Sequence, residues 1–291
     1  MPKPDMLFGA RKLLTICART QPGEIVLVVA DDELVELAEP LAIAATEVGA
    51  EPIICVMPTR TAHGLEPPAP VAAALAATDV FFAPVHVSIT HTQAVKNATQ
   101  AGARGLVLTD FTPGMLVSGG IEADFEAQAP VCRRLATIFE AGEQVHLTTP
   151  AGTDLWLDAS GRRGNALTCI VAPGQFSTVP TIEANFSPVE GSARGVVVAD
   201  ASIPYLEIGV LEEPVRTEVR DGSITRIDGG RQAQALRENL AAQEDPLVYN
   251  VAELGVGLNP QARLCGLMLE DEGVLGVVHI GIGTNITLGG N

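Results

Sequence analysis

The sequence lacks the short motifs that mark the common nucleotide-binding and hydrolytic enzymes. The first predicted strand runs into A-D-D-E-L-V-E instead of a G-x-G-x-x-G turn, which argues against a dinucleotide site of the usual kind. No G-x-x-x-x-G-K-[ST], G-x-S-x-G or H-E-x-x-H pattern occurs. These absences argue against a phosphate-binding loop, a nucleophile-elbow hydrolase and a helical zinc-peptidase site.

Positive charge, aromatic residues and cysteine are also scarce. Lys and Arg number 18 against 35 Asp and Glu, so the 291-residue chain carries a net charge of −17, and only 4% of its residues are aromatic. An acidic surface repels phosphate backbones, so we predict no nucleic-acid partner. No apolar run reaches the roughly 20 residues of a membrane span, and the N-terminus has no secretory pattern. We therefore predict a cytoplasmic protein without membrane contact.

The cysteines are five in number and form no C-x-x-C pair. An odd, scattered set is typical of a reducing compartment and not of a disulfide framework. We predict that all five are reduced core thiols. They are Cys17, Cys55, Cys132, Cys169 and Cys265.

Apolar runs rich in β-branched residues alternate with helical patterns in the first half of the chain. They predict strands at 24–32, 52–58, 80–85 and 105–110, and helices at 7–20, 33–49, 67–78, 90–102 and 124–141. Strands that alternate with helices are typical of a doubly wound parallel sheet. We therefore predict a Rossmann-like α/β domain over residues 1–142.

The pattern changes near Gly142. Residues 145–161 alternate between apolar and polar around Ala151–Gly152, which indicates a β-hairpin. Short strands and Asp-Gly turns follow, with one helical pattern at 231–243. We predict a mostly antiparallel α+β domain over residues 143–291, and its apolar β surface favours a homo-oligomer.

One glutamate and one histidine stand among glycines near the end of the chain. Glu253 lies in A-E-L-G-V-G and His279 in V-V-H-I-G-I-G. Glycine lets the backbone approach a ligand closely, and a carboxylate with an imidazole is a common ligand set of catalytic metals. From these segments alone, each residue has an alternative to a ligand role. Glu253 would then cap a turn or face solvent, and His279 would be a core residue whose hydrogen bonds are satisfied within the protein.

Three further segments carry candidate groups. Glu183 lies between apolar residues in T-I-E-A-N-F, where a structural role is the alternative to a ligand role. Thr90 and Gln93 have capping-box spacing, which predicts that His91 lies at a helix N-terminus beside the ligand crevice of the sheet. There the helix favours a neutral ring able to accept a proton, and a solvated first-turn histidine is the alternative. The L-E-D-E-G loop at 269–273 we interpret as an acidic surface turn.

Together these segments resemble a leucyl aminopeptidase-like superfamily, which contains the aminopeptidase T metallopeptidases and 2,5-dihydroxypyridine 5,6-dioxygenase. The stretch P-V-E-G-S-A-R-G-V-V-V-A-D-A-S-I-P is similar to the one that follows the first ligand glutamate of the peptidases, which places Glu183 on that position. A-E-L-G-V-G is similar to the second glutamate motif and V-V-H-I-G-I-G to the first histidine motif, which places Glu253 and His279. S-I-T-H-T-Q-A-V-K-N-A-T-Q-A-G-A-R-G looks like the dioxygenase branch, in which a histidine acts on substrate; His91 matches it.

The resemblance implies an Fe(II)-dependent dioxygenase of aromatic catabolism that opens a hydroxylated N-heteroaromatic ring of a small-molecule substrate. The predicted metal ligands are His279, Glu253 and Glu183, and the predicted catalytic residues are His91 and Glu183. Of the protein ligands expected of a dioxygenase iron site, the sequence keeps only His279, whereas a peptidase-type site would keep all three. The two-glutamate set favours the alternative of an aminopeptidase or amidohydrolase with zinc, cobalt or manganese. Both branches carry a His-x-Asp pair after the Gly-Gly segment, which the sequence to Asn291 does not contain. We therefore expect weak or absent metal binding in this form, and a binding protein without metal is a third alternative.

Overall fold

The computed structural model describes residues 3–204, 206 and 208–290. Its contacts divide the chain into two compact units. The first comprises Met1–Ala129, Leu167–Ile182 and Pro260–Ala262, and the second Pro130–Ala166, Glu183–Asn259 and Arg263–Asn291. The boundary after residue 142 stays a prediction.

The strands, in chain order, are β1 (Ile25–Asp31), β2 (Glu51–Met57), β3 (Val80–Val85), β4 (Arg104–Thr109), β5 (Gln144–Thr148), β6 (Asp154–Asp158), β7 (Gly164–Leu167), β8 (Phe176–Thr178), β9 (Glu183–Phe186), β10 (Arg194–Ala199), β11 (Ser202–Ile203), β12 (Gly209–Val210), β13 (Val215–Arg220), β14 (Ser223–Asp228), β15 (Val251–Gly257) and β16 (Val278–Ile282). The α-helices are α1 (Lys3–Lys12), α2 (Ala38–Glu47), α3 (Ala69–Leu75), α4 (Gln93–Gln100), α5 (Phe125–Ala141), α6 (Arg231–Ala242) and α7 (Met268–Asp271). None of the helices in these described ranges is long and apolar enough to cross a membrane.

A parallel five-stranded sheet forms the first unit, in the order β2-β1-β3-β4-β8. Every residue of β3 and β4 is buried, as expected for strands covered on both faces. The predicted parallel α/β sheet is confirmed. The predicted strands became β1 to β4, whereas β8 was missed because it is only three residues long. The first predicted helix begins at Lys3 and continues into a π-helical segment, Leu13–Cys17.

The second unit contains antiparallel sheets. A five-stranded sheet B has the order β14-β13-β10-β6-β5. The predicted hairpin joins β5 to β6, where Thr148 pairs with Asp154 and Gly152 adopts a φ of 112°. Helix α6 packs on this sheet through Leu236 and Leu240. The predicted antiparallel α+β character of this part of the chain is confirmed.

A four-stranded sheet C, in the order β16-β15-β9-β7, carries the candidate site. Its strand β15 is antiparallel to both β16 and β9. Helix α5 packs against one face, with 5.0 Å between the ring centroids of Phe139 and Phe186. Successive side chains of a strand point to opposite faces, so Glu183 and Asn185 of β9 point away from α5.

None of the five cysteines, all of them among the described residues, forms a disulfide bond. Cys17, Cys132 and Cys169 are buried and Cys55 is half-buried, as predicted for core thiols. The prediction is wrong for Cys265, which is exposed. It lies in the loop before α7, where its backbone N–H donates to Asp271 Oδ1 at 2.7 Å.

Candidate metal centre

Three strands of sheet C bring Glu183, Glu253 and His279 onto one face. Directly paired residues of antiparallel strands point to the same face, as do residues two apart along one strand. On the central strand, Gly255 pairs with His279, and Gly257 pairs with Glu183. Glu253, two residues before Gly255, therefore shares this face. The three candidates from the sequence, far apart along the chain, are brought together.

Two glycines make room for these side chains. A Cβ at Gly255 would lie 2.1 Å from Nε2 of His279, which is closer than two atoms can approach. A Cβ at Gly281, which pairs with Glu253, would lie 2.9 Å from Oε2 of that glutamate. The glycines of the two motifs thus leave the space that the imidazole and the carboxylate occupy.

His279 and Glu183 face each other through polar atoms that have no hydrogen-bond partner among the described residues. Nε2 of His279 lies 3.2 Å from Oε2 of Glu183 and 4.0 Å from Oε1 of Glu253. The 3.2 Å contact is not aligned as a hydrogen bond, and both ring nitrogens and Glu183 Oε2 are buried without a partner among the described residues. A buried polar atom left unpaired costs about 1–3 kcal/mol. The arrangement therefore indicates that a ligand belongs between these atoms.

Glu272, at the end of α7, adds a carboxylate that sequence reasoning missed. Glu183, Glu272 and His279 each offer one donor atom, and these atoms lie within 4.8 Å of one another. Nothing in the periodicity of the sequence indicates this role, because a loop and not a strand presents the side chain. The acidic run L-E-D-E-G was the one available signal.

The interpretation of that run as an acidic surface turn is wrong. Glu270 and Asp271 are only 4% and 3% exposed. Oδ1 of Asp271 accepts the backbone N–H of Cys265, and Glu270 accepts the backbone N–H of Arg263 at 3.2 Å. These carboxylates are buried because they satisfy backbone donors of the preceding loop.

Burial dominates the electrostatics of the centre. It raises the pKa of Glu183 to about 7, against a hydrogen bond from Asn185 that lowers it. It also raises the pKa of Glu253 to about 7, helped by the charge of Glu183 and opposed by His279. The pKa of Glu272 is raised well above its usual range by burial and by the neighbouring carboxylates. Burial lowers the pKa of His279.

Acidic groups that keep their protons near neutral pH, beside a neutral imidazole, are what burial produces when no cation compensates the charge. A divalent cation would supply that compensation and displace the protons. Carboxylate oxygens and imidazole nitrogens are also ligands that iron, manganese and zinc accept. The residues present therefore fit a divalent metal.

His91 lies in the first compact unit, just before α4. The predicted capping box is wrong in its register, because Thr92 is the N-cap and accepts from the backbone N–H of Val95 at 3.3 Å. His91 is exposed, and partial desolvation of the ring lowers its pKa. Its catalytic role stays a prediction.

Fold and site together define a protein with an α/β unit and an α+β unit. The second unit carries a buried carboxylate–imidazole centre on an antiparallel sheet, where glycines leave room for the side chains. The family model for 2,5-dihydroxypyridine 5,6-dioxygenase (NicX) matches residues 5–285. The chain belongs to this family.

One relative and two solved structures are similar to this chain. The 2,5-dihydroxypyridine 5,6-dioxygenase of Pseudomonas putida strain KT2440 is 33% identical over 101 residues, 34% of this chain, and the matched stretch spans 29% of that relative. The solved structure of 2,5-dihydroxypyridine dioxygenase from the same strain matches with a TM-score of 0.82 at 19% identity, over 100% of this chain and 89% of that one. Wild-type AmpT from Thermus thermophilus matches with a TM-score of 0.66 at 16% identity, over 97% and 86%.

The resemblance drawn from the sequence, to the dioxygenase branch of this superfamily, is confirmed. The family name is that of an enzyme, and neither the peptidase nor the metal-free binding protein is favoured. The homo-oligomeric state and the cytoplasmic location stay predictions.

Proposed function

We propose that this protein is a dioxygenase that uses Fe(II) and O2 to open the ring of a small hydroxylated N-heteroaromatic substrate. The observation that carries the proposal is the buried approach of Glu183 Oε2 to His279 Nε2 at 3.2 Å, without hydrogen-bond geometry. In a member of a dioxygenase family, two facing donor atoms of this kind support a cation between them.

His279 and Glu183 would hold the metal, with Glu253 as a further ligand and Glu272 close to the same donor atoms. Iron is preferred over zinc, cobalt and manganese because the family is one of dioxygenases, since the donor atoms alone suit all four ions. When bound, the ion supplies a Lewis acid and one-electron exchange with O2.

Residues of the chain have to accept the substrate proton and exclude bulk water from the site. The substrate hydroxyl must lose its proton, and we assign that proton to His91, whose lowered pKa keeps the ring neutral and able to accept it. Glu183 is 3% exposed, so its carboxylate acts in a site from which bulk water is excluded. Its free oxygen would act as a ligand and as a catalytic carboxylate toward the substrate.

The test is oxygen uptake by the full-length protein, loaded with Fe(II) under anaerobic conditions and then mixed with 2,5-dihydroxypyridine and O2. We expect one O2 consumed for each ring lost, followed by the decay of the ring absorbance, and no uptake when Zn(II) replaces Fe(II). The His279→Ala variant should lose both iron and activity. The His91→Asn variant should keep its iron and lose activity.

Iron binding without oxygen uptake on any hydroxypyridine would contradict the proposal. Release of an amino acid from a peptide by the Zn(II), Co(II) or Mn(II) form would support the aminopeptidase alternative instead.

A further inference from the structure

Asn185 forms a hydrogen bond to one oxygen of the Glu183 carboxylate and leaves the other oxygen facing the centre. Its Nδ2 donates to Glu183 Oε1 at 2.7 Å, and both side chains are buried, at 1% and 3% exposure. The other oxygen, Oε2, is the one that lies 3.2 Å from His279 Nε2 and has no hydrogen-bond partner. One hydrogen bond thus decides which oxygen is left for a ligand.

A second amide continues the chain of hydrogen bonds. Asn165 Nδ2 donates to Asn185 Oδ1 at 2.9 Å and to the backbone oxygen of Leu288 at 3.3 Å. Its own Oδ1 accepts from Arg163 Nε at 2.7 Å. The series therefore begins at a guanidinium, passes through two amides and ends at a carboxylate.

The ends of this series determine the direction of every bond in it. A guanidinium can only donate, and a carboxylate that binds a cation is ionised and can only accept. Each amide between them must therefore turn its oxygen toward Arg163 and its nitrogen toward Glu183. If either amide turned over, two acceptors would face each other in a buried place, which is costly.

We infer that Asn185 and Asn165 are positioning residues, which fix the Glu183 carboxylate so that Oε2 is presented to a divalent cation beside His279. Hydrogen bonds to the ligands of a metal commonly set their orientation, and their loss typically weakens metal binding about 10- to 100-fold. The inference rests on the metal centre of the proposed function, and it does not depend on the reaction.

The experiment is a titration of the full-length, metal-free protein with Co(II), followed by calorimetry and by visible absorption. Asn185→Leu removes the donor to Glu183 at similar volume, and we expect affinity to fall about 10- to 100-fold with a changed cobalt spectrum. Asn165→Asp does not touch Glu183 but removes the donor that orients Asn185, so we expect a smaller fall in the same direction. A purely local role of Asn185 predicts no effect of this second variant.

Asn239→Asp is the matched control. Asn239 is a half-buried asparagine of the same unit whose amide donates to the backbone oxygen of Leu206, at 3.4 Å. Its variant should bind Co(II) as the wild type does. Thermal unfolding of each metal-free variant separates lost positioning from lost folding, because a merely structural role would not change the spectrum of a folded variant.

Equal affinity and an equal spectrum for wild type and Asn185→Leu would overturn the inference, as would a wild-type protein that binds no Co(II). If cobalt binding depends on both asparagines but the iron form consumes no O2 with a hydroxypyridine, the proposed reaction fails and the positioning role stands.

Discussion

Carboxylates on the two antiparallel sheets of the same compact unit have different neighbours. On the exposed face of sheet B, Glu218 lies 3.1 Å from Arg216, and Asp228 lies 2.8 Å from Arg226. On sheet C, Glu183 and Glu253 share one neutral imidazole. An arginine thus compensates the carboxylate charge at these two positions of sheet B, and a neutral imidazole does not compensate it on sheet C.

The pKa values follow the same division. The hydrogen bond and charge of Arg216 hold the pKa of Glu218 below its usual range, whereas burial raises the pKa of Glu253 to about 7. Carboxylates that a protein keeps only for solubility remain in water beside a cation. The contrast supports the proposal that sheet C receives a positive charge from outside the chain.

The largest effect should come from neutralising the centre. Glu183→Gln keeps the shape of the side chain but removes the charge and one acceptor, so we expect Co(II) affinity to fall more than about 100-fold, beyond the loss of an outer hydrogen bond. Above about pH 7, where Glu183 is ionised, the metal-free variant should be as stable as the wild type or more stable, because a buried charge is removed. Calorimetric titration and thermal unfolding measure the two changes. Unchanged affinity would remove the distinction between the sheets.

A side chain at Gly255, in the space beside His279, should have the next largest effect. Gly255→Ala places a Cβ 2.1 Å from Nε2 of His279, so the ring must move, at a cost of about 1–3 kcal/mol of unfolding free energy. In the His279→Ala background the same substitution should cost little, because the obstructing ring is absent. Urea unfolding of the four proteins of this double-mutant cycle tests the coupling. Additive effects would mean that the glycine serves another purpose.

The pH dependence of the metal-free protein should be set by sheet C. The folded-state pKa of about 7 for Glu183 and Glu253 lies above their ordinary 4.5, so between these values the folded protein retains protons that the unfolded chain has released. Stability should therefore fall as the pH rises from about 4.5 to about 7 and level off above it.

His279 acts in the opposite direction, because its lowered pKa costs stability as the pH falls below 6.5, where the unfolded chain takes up a proton first. Unfolding of the His279→Ala variant across pH 4 to 8 should isolate the carboxyl effect, to which Glu272 also contributes. Saturating metal should reverse the slope, since the bound form requires ionised carboxylates. A flat profile without metal would contradict the assignment.

The smallest effect is expected on sheet B. Glu218→Gln removes a carboxylate that is paired with Arg216 and Arg220 in contact with water, and such pairs contribute little. Metal affinity should be unchanged, and thermal unfolding should shift least of all the variants. A loss of metal binding in this variant would show that the two sheets are not independent.

Much of the architecture could be predicted because periodicity is local. Apolar runs produced β1 to β4, and the alternation around Ala151–Gly152 produced the hairpin of β5 and β6. The three-residue β8 was out of reach, because so short a strand has no period to detect. The helix start near His91 was misplaced by two residues, since Thr90 and Thr92 are equally good caps by residue type.

The candidate site divides in a similar way. Glu183, Glu253 and His279 could be selected because each stands in an apolar or glycine-rich strand where a polar side chain needs a reason. Glu272 could not be selected, because its neighbours Glu270 and Asp271 are equally acidic and only the fold separates their roles. The amides of Asn165 and Asn185 gave no signal at all, since asparagine is common in turns and strands of every kind.

The sequence alone was enough to predict β1 to β4, the hairpin of β5 and β6, the polar residues that stand among apolar ones, and the family of the chain. It could do so because alternation, glycine spacing and motif similarity are properties of neighbouring residues. The folded chain was needed to show that Gly255 pairs with both His279 and Asn185, and that Glu272 reaches the same donor atoms. Strand register joins residues tens of positions apart, and a shift of one residue would have turned every one of these side chains to the other face.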